Sequence, residues 1–98
     1  MEVTFDDDSL DELENNERCK SRFHKSVVRA YRKLLRFIRD ARDERDLRAW
    51  REKRFELLTG NRSNQYSMRI DGQWRLVFEI QEGNPGNVIH VIEIVDYH

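Results

Sequence analysis

The sequence predicts an α+β fold, in which helices formed early in the chain support a sheet formed by its last third. Two observations carry this prediction. Residues 22–42 repeat apolar side chains at steps of three and four, as one face of a long helix does. From residue 55 onward, short apolar runs alternate with turn-forming Gly, Asn and Asp residues, as strands do. Helical patterns followed by strand patterns are typical of the α+β class.

The N-terminal segment contains one short strand and one short helix in this prediction. Val3–Phe5 alternates apolar and polar residues, which favours a strand. Ser9 and Glu12 match a capping box ahead of a helix whose two leucines face inward. The acidic run at residues 6–8 then lies at the positive end of that helix, where the backbone dipole stabilises carboxylates.

The helix predicted at residues 22–42 has a strongly basic face opposite its apolar stripe. That face carries Lys25, Arg29, Arg32, Lys33, Arg36 and Arg39. Six cations precede the first acid, Asp40, which is more than solubility requires. The face is therefore a candidate for contacting phosphate or an acidic partner segment, and the alternative is an ordinary solvated surface.

The rest of the chain is predicted as one short helix and four strands. These are a helix at Asp43–Trp50 and strands at Phe55–Leu58, Tyr66–Ile70, Trp74–Ile80 and Val88–His98. The last strand is apolar on both faces, which is typical of a strand in the interior of a sheet.

Two registers are open for the hairpin that joins the two middle strands. A two-residue Asp-Gly turn sets Arg69 opposite Trp74. A three-residue loop over residues 70–72, with Gly72 in the left-handed conformation, instead aligns Arg69 with Arg75. The second register buries a clean apolar face, so it is favoured, and it projects both arginines from one face of the sheet.

Charge is distributed unevenly along the chain, although the net charge is only −1. Residues 1–17 carry eight acids and no Lys or Arg, residues 18–62 carry a net charge of +10, and residues 63–98 carry a net charge of −3. A basic block is thus masked by an acidic segment. One hypothesis is that the acids at residues 6–17 fold against the basic helix and shield it from free RNA.

Composition also excludes several classes of protein. No apolar run approaches the roughly 20 residues that a membrane span needs. The acidic N-terminus is unlike a secretory signal. The single cysteine, Cys19, excludes an internal disulfide, and three scattered histidines offer no metal-ligand spacing. We expect one cytoplasmic domain over residues 1–98, without membrane, metal or cofactor.

Three motifs occur together in the second half of the chain. They are a Gly-x-Arg turn at residues 60–62, a Trp-Arg strand at residues 74–75 and a terminal Asp-Tyr-His at residues 96–98. In combination they resemble the HigB-type toxins, the plasmid-maintenance killer proteins of the RelE/ParE superfamily of bacterial toxin–antitoxin systems. The resemblance covers residues 50–98 closely and the upstream order of elements loosely.

The resemblance implies a RelE-like fold, with a small antiparallel (mixed) sheet of about five strands and two to three helices packed on one face. It implies an endoribonuclease that inhibits translation by cutting mRNA in the ribosomal A site, by metal-free attack of the 2′-hydroxyl. The implied partners are the ribosome, mRNA and a cognate antitoxin. That antitoxin is expected to be of the helix-turn-helix type and to provide the only link to operator DNA.

Several family positions carry over to this chain. Arg75 matches the strand arginine that is taken to stabilise the phosphate. Asp96, Tyr97 and His98 match the terminal active-site residues, and Arg62 matches the turn arginine. Further candidates for phosphate or RNA contacts are Arg69, Arg29, Arg32, Lys33 and Arg36.

The identity of the general base stays open. The best-known family pattern has a His followed three residues later by a Lys, and this chain has Glu56 and Thr59 there. RNA cleavage needs a base for the 2′-hydroxyl, an acid for the 5′-oxygen and cations for the phosphate. His98 is a candidate for either the acid or the base, and Glu56 is a candidate for the base. Tyr97 and His98 line one pocket only if the chain end turns, because neighbours on a strand point to opposite faces.

Two other functions stay open beside the nuclease. One is a gyrase-poisoning toxin of the related ParE branch, which has no nuclease activity. The other is a degenerate toxin that acts only as an antitoxin-binding co-repressor, a reading that the Glu56 and Thr59 departures support.

Overall fold

The computed structural model describes residues 1–18, 21–60, 64–83 and 86–96. In chain order the elements are strand β1 (Glu2–Phe5), helices α1 (Asp8–Asn15), α2 (Lys25–Asp40) and α3 (Glu44–Ala49), a 3₁₀ turn (Arg51–Lys53), and strands β2 (Glu56–Leu57), β3 (Tyr66–Arg69), β4 (Trp74–Gln81) and β5 (Val88–Asp96). The strands form one sheet in the order β1-β5-β4-β3-β2. Among the described strand pairs, β1 with β5 is the one parallel pair, so the sheet is mixed, and the predicted α+β class is confirmed.

Helix α1 begins two residues earlier than a capping box at Ser9 requires, so that prediction was wrong. Asp7 is the N-cap, and its side chain accepts a hydrogen bond from the Ser9 backbone N–H at 2.8 Å. Hydrogen bonding to the carboxylate lowers the pKa of Asp7. Asp8 and Asp11 occupy the first turn, in keeping with the predicted favourable position of the acidic run.

Helix α2 is shorter at its N-terminus than residues 22–42. Its N-cap is His24, whose Nδ1 accepts from the Ser26 backbone N–H at 3.1 Å. Phe23 therefore lies outside the helix, where its ring packs edge-on against Trp74 with centroids 5.0 Å apart. The predicted apolar stripe is buried, with Tyr31 and Leu34 both 0% exposed.

The β3–β4 hairpin has the register that burial favoured. Arg69 is paired with Arg75, and the Ile70 N–H donates to the Trp74 carbonyl at 2.8 Å. The loop is therefore residues 71–73, one residue later than predicted. The prediction of a left-handed Gly72 was wrong, because among the described glycines only Gly60 has a positive φ. The Asp71 carboxylate closes the turn instead, accepting from the backbone N–H groups of residues 73 and 74.

The helices cover one face of the sheet, and the hydrophobic core lies between them. From the sheet this core includes Met68, Leu76, Phe78 and Val91, each 0% exposed. The opposite face, here called the open face, carries Glu56, Ser67, Arg69, Arg75 and Val77 along neighbouring strands. None of the described helices is long and apolar enough to cross a membrane.

Candidate active site

Arg75 is the buried charge at the centre of the open face. Its side chain is 3% exposed. Nε donates to the Ser67 hydroxyl at 3.1 Å, and Nη2 donates to the Arg54 backbone carbonyl at 2.7 Å. Glu56 lies on the same side, with Oε2 3.7 Å from Nη2. A buried cation needs such partners to offset its lost hydration, so the guanidinium is held in one orientation.

The Arg54 backbone has an unusual conformation that this contact stabilises. Arg54 ends the 3₁₀ turn with φ 47° and ψ 61°, in the left-handed region. A residue with a Cβ pays about 1–2 kcal/mol for that conformation. The hydrogen bond from the guanidinium of Arg75 holds the Arg54 carbonyl toward the sheet. The Arg54 side chain stays exposed.

Arg69 and Glu56 border the Arg75 guanidinium from neighbouring strands. Arg69 is its cross-strand partner, half-buried on the same face. Glu56 is paired with Ser67, and its side chain is 46% exposed. The structure thus brings a solvent-accessible carboxylate and two predicted phosphate-binding arginines to one patch of the open face.

The end of β5 leads to the same region. Asp96 pairs with Trp74, next to Arg75 in the sheet, and its Oδ2 accepts from Gln73 Nε2 at 3.1 Å. The chain therefore leaves the sheet beside the candidate site. The site predictions for Arg62, Tyr97 and His98 concern residues outside the described part of the chain, as does the single cysteine, Cys19.

The predicted phosphate-binding residues of α2 lie on the outer surface of the helical layer, away from the open face. Arg32 is occupied by α1, because its Nε donates to the Leu13 carbonyl at 2.9 Å and its Nη2 to the Asn16 carbonyl at 3.2 Å. Arg39 makes a two-pronged contact with Glu14, at 2.9 and 2.7 Å. The acidic helix therefore does fold against the basic helix. The other four cations of the predicted basic face, Lys25, Arg29, Lys33 and Arg36, are exposed.

Lys53 and Trp50 connect the helices to the β3–β4 hairpin. The Lys53 ammonium donates to the Ile70 carbonyl at 3.2 Å and lies 4.8 Å from the centroid of the Trp50 ring. The Lys33 ammonium is 6.0 Å from the same ring. Burial, and then the charge of Lys33, lower the pKa of Lys53. Positive charge is thus concentrated where the 3₁₀ turn meets the hairpin.

Two groups of the site were missed by sequence reasoning. Ser67 could have been found, since it alternates with Arg69 on a predicted strand and so shares its face. The role of the Arg54 carbonyl could not have been predicted, because nothing in the sequence around Arg54 indicates a left-handed backbone conformation. Among the described residues, no group of three or more His, Cys, Asp or Glu side chains is placed to hold a metal ion.

Comparisons with known proteins agree with this architecture. A family model described as the RelE-like toxin of type II toxin–antitoxin system HigB matches residues 3–98. Among solved structures, the chain is similar to one titled YoeB/ParE toxin from Agrobacterium tumefaciens, at 19% identity and a TM-score of 0.60, covering 100% of both chains. At that identity the likeness shows the fold alone. A search of curated proteins found no match.

Proposed function

This chain belongs to the HigB-like toxins, the RelE-like toxins of type II toxin–antitoxin systems, and on that premise we propose that it is a ribosome-dependent mRNA endonuclease. Membership of a type II system implies a cognate antitoxin. The nuclease would act in the cytoplasm on mRNA in the ribosomal A site. The antitoxin, of helix-turn-helix type, would hold it inactive and connect it to operator DNA.

The observation that carries this proposal is the sheet register around Arg75. This register sets Arg69 beside Arg75 and places the Glu56 carboxylate 3.7 Å from the Arg75 guanidinium. Strand β5 ends at Asp96, one residue pair beyond the pair that includes Arg75. Arginine is always charged, and its planar fork matches phosphate oxygens. A cation already fixed in place stabilises developing charge without reorganising during the reaction.

The proposed reaction is a transesterification within the RNA strand. A base removes the proton of the 2′-hydroxyl, the 2′-oxygen attacks phosphorus, and the bond from phosphorus to the 5′-oxygen breaks. An acid protonates the leaving 5′-oxygen, so the products are a 2′,3′-cyclic phosphate and a 5′-hydroxyl. Glu56 and His98 share the base and acid roles, and Tyr97 orients a proton or stacks on a base. Asp96 anchors the chain end through Gln73.

Arg75 and Arg69 supply the positive charge in this scheme, with Arg62 as a further contact from the turn. Arg75 acts as the fixed cation beneath the phosphate, and Arg69 reaches it from the neighbouring strand. The exposed Arg29, Lys33 and Arg36 would contact ribosomal or messenger RNA farther from the cut, as would Arg32 if α1 moved away from it.

A second candidate is the degenerate toxin, which binds its antitoxin without cutting RNA. It is favoured by the burial of Arg75, whose guanidinium donates to Ser67 and to the Arg54 carbonyl. The third candidate, a gyrase poison, would arrest growth with mRNA left whole.

Primer extension on a reporter mRNA in a purified translation system tests the proposal. Wild-type protein should produce cuts at codon-spaced positions that require ribosomes. Arg75→Ala should lose them, and Arg42→Ala, which removes an arginine that is 88% exposed, should keep them. Loss of cutting in both variants would indicate a general charge effect.

Growth measurements separate the remaining functions. Intact mRNA together with growth arrest and trapped gyrase–DNA complexes would replace the nuclease by the gyrase poison. Intact mRNA without growth arrest, in the absence of antitoxin, would replace it by the degenerate toxin.

A further inference from the structure

A cationic cleft lies beside the candidate active site, between the 3₁₀ turn and the β3–β4 hairpin. Its volume is about 520 Å³. Among the described residues, four cations line it, together with the carboxylates of Glu52 and Asp71. The cations are Arg51, Lys53, Arg54 and Arg69. The cleft, called here the hairpin cleft, therefore carries a formal charge of +2 from its lining.

The acids of the hairpin cleft offset its cations only in part. Asp71 is already used by the hairpin, since its Oδ1 accepts from the backbone N–H groups of Gln73 and Trp74, both at 2.8 Å. Lys53 is bound to the Ile70 carbonyl. The side chains of Arg51, Arg54 and Arg69 also line the cleft. Like charges that share one cleft repel, and a bound anion offsets that repulsion.

The hairpin cleft is fixed in position by the active site itself. The Arg75 guanidinium donates to the Arg54 carbonyl at 2.7 Å and so holds the end of the 3₁₀ turn. Arg69 belongs to both places, because it lines the cleft and is the cross-strand partner of Arg75. A single polyanionic strand can therefore pass from one to the other without a break.

We propose that the hairpin cleft binds the backbone phosphate next to the scissile one on the same RNA strand, with Arg51 and Arg54 as its contacts. This inference rests on the proposed nuclease function and extends it to residues outside the motifs. Guanidinium groups match phosphate oxygens in pairs. An acidic peptide fits less well, because the affinity of such interfaces comes mostly from anchor side chains buried in pockets, and the described residues that line this cleft offer no apolar side chain to receive one.

Salt-dependent RNA binding tests the proposal. The probe is a short single-stranded RNA, 2′-O-methylated so that it cannot be cut, and binding is followed by fluorescence anisotropy from roughly 50 to 200 mM salt. The variant Arg51→Gln/Arg54→Asn removes two charges, and asparagine tolerates the left-handed backbone at residue 54. The matched control, Arg42→Gln/Arg45→Gln, removes two arginines that are 88% and 87% exposed.

We expect the cleft variant to lower the slope of log Kd against log salt by about 0.7, since one phosphate is no longer neutralised and each neutralised phosphate on single-stranded RNA accounts for about 0.7. Affinity at the lowest salt should fall about tenfold, while the control keeps its slope. Thermal melts of both variants verify folding. If the double variant does not fold, Arg51→Gln alone should show half the change in slope.

Equal slopes in the cleft variant and its control would overturn the proposal. So would normal RNA binding combined with lost binding of poly-L-glutamate, which would identify an acidic polypeptide as the ligand. The nuclease is judged separately, by cleavage in the translation system. If the wild-type protein cuts mRNA and the cleft variant keeps the wild-type salt slope, the proposal for the hairpin cleft is wrong and the nuclease proposal stands. If the wild-type protein cuts no mRNA but the cleft variant has a lower salt slope, the hairpin cleft binds RNA and the nuclease proposal is wrong.

Discussion

The two faces of strand β4 are both buried, but by different physical means. On the covered face, Leu76 and Phe78 are 0% exposed within the apolar core. On the open face, Arg75 is 3% exposed and depends on hydrogen bonds to Ser67 and to the Arg54 carbonyl. Apolar burial stabilises directly, whereas a buried charge gains little stability even when its partners are in place. The covered face therefore stabilises the fold, whereas the open face holds the charged guanidinium of Arg75 in a fixed position.

The largest effect is expected on the covered face. Phe78→Ala should lower the free energy of unfolding by about 3–5 kcal/mol, because a fully buried ring leaves a cavity. Urea denaturation measures this. Leu57→Ala is the control, since Leu57 is 55% exposed, and its change should stay within about 0.5 kcal/mol. Similar losses in both variants would contradict the contrast between the faces.

On the open face, Ser67→Ala should cost about 1–3 kcal/mol, because it removes the acceptor for Arg75 Nε in a buried place. Adding Arg75→Met should recover part of that loss, since an apolar side chain needs no acceptor. A double-mutant cycle in urea measures the coupling. Additive effects would show that the hydroxyl does not support the guanidinium.

Tyr31, on α2, tests a hydrogen bond within the core that the helices form against the covered face. Its hydroxyl donates to the Leu10 carbonyl at 2.8 Å, so Tyr31→Phe should cost about 0.5–1.5 kcal/mol at neutral pH. Burial, followed by the charge of Glu14, raises the pKa of Tyr31 above its ordinary 10.0. The unfolded chain then ionises first, so this contribution to stability is present below pH 10.0 and is lost as the pH rises toward the folded value.

Melting curves across the alkaline range measure that loss. The difference in Tm between the wild type and Tyr31→Phe should shrink as the pH increases. A constant difference would mean that Tyr31 ionises alike in the folded and unfolded states.

The smallest effect concerns the outer surface of α2, where Glu14 of α1 forms an ion pair with Arg39. Glu14→Gln should release Arg39 from its ion pair, costing at most about 1 kcal/mol because Arg39 is partly exposed. RNA affinity at low salt should rise, with the salt slope steeper by about 0.7. Glu82→Gln removes the same charge from an exposed position and is the control. Unchanged binding by Glu14→Gln would end the hypothesis that α1 shields the basic helix.

More of the fold than of the candidate site could be predicted from the sequence. The apolar stripe of α2 and the strand runs were visible because burial imposes periods of 3.6 and 2 on the side chains. The pairing of Arg69 with Arg75 was also accessible, since the other register exposes the apolar face. Element ends were less certain: Asp7, and not Ser9, caps α1, because short polar side chains near a helix start compete for the same backbone groups.

The sequence by itself determined the fold class, the apolar face of each element and the strand that carries Arg75, since these follow from spacing and from the cost of exposing apolar surface. Only the tertiary structure decided that Arg75 is buried and that it holds the Arg54 carbonyl. It also decided that the 3₁₀ turn and the hairpin bring four cations around one cleft. Those features depend on contacts between residues far apart in the chain and on one left-handed backbone position, and neither leaves a periodic trace in the sequence.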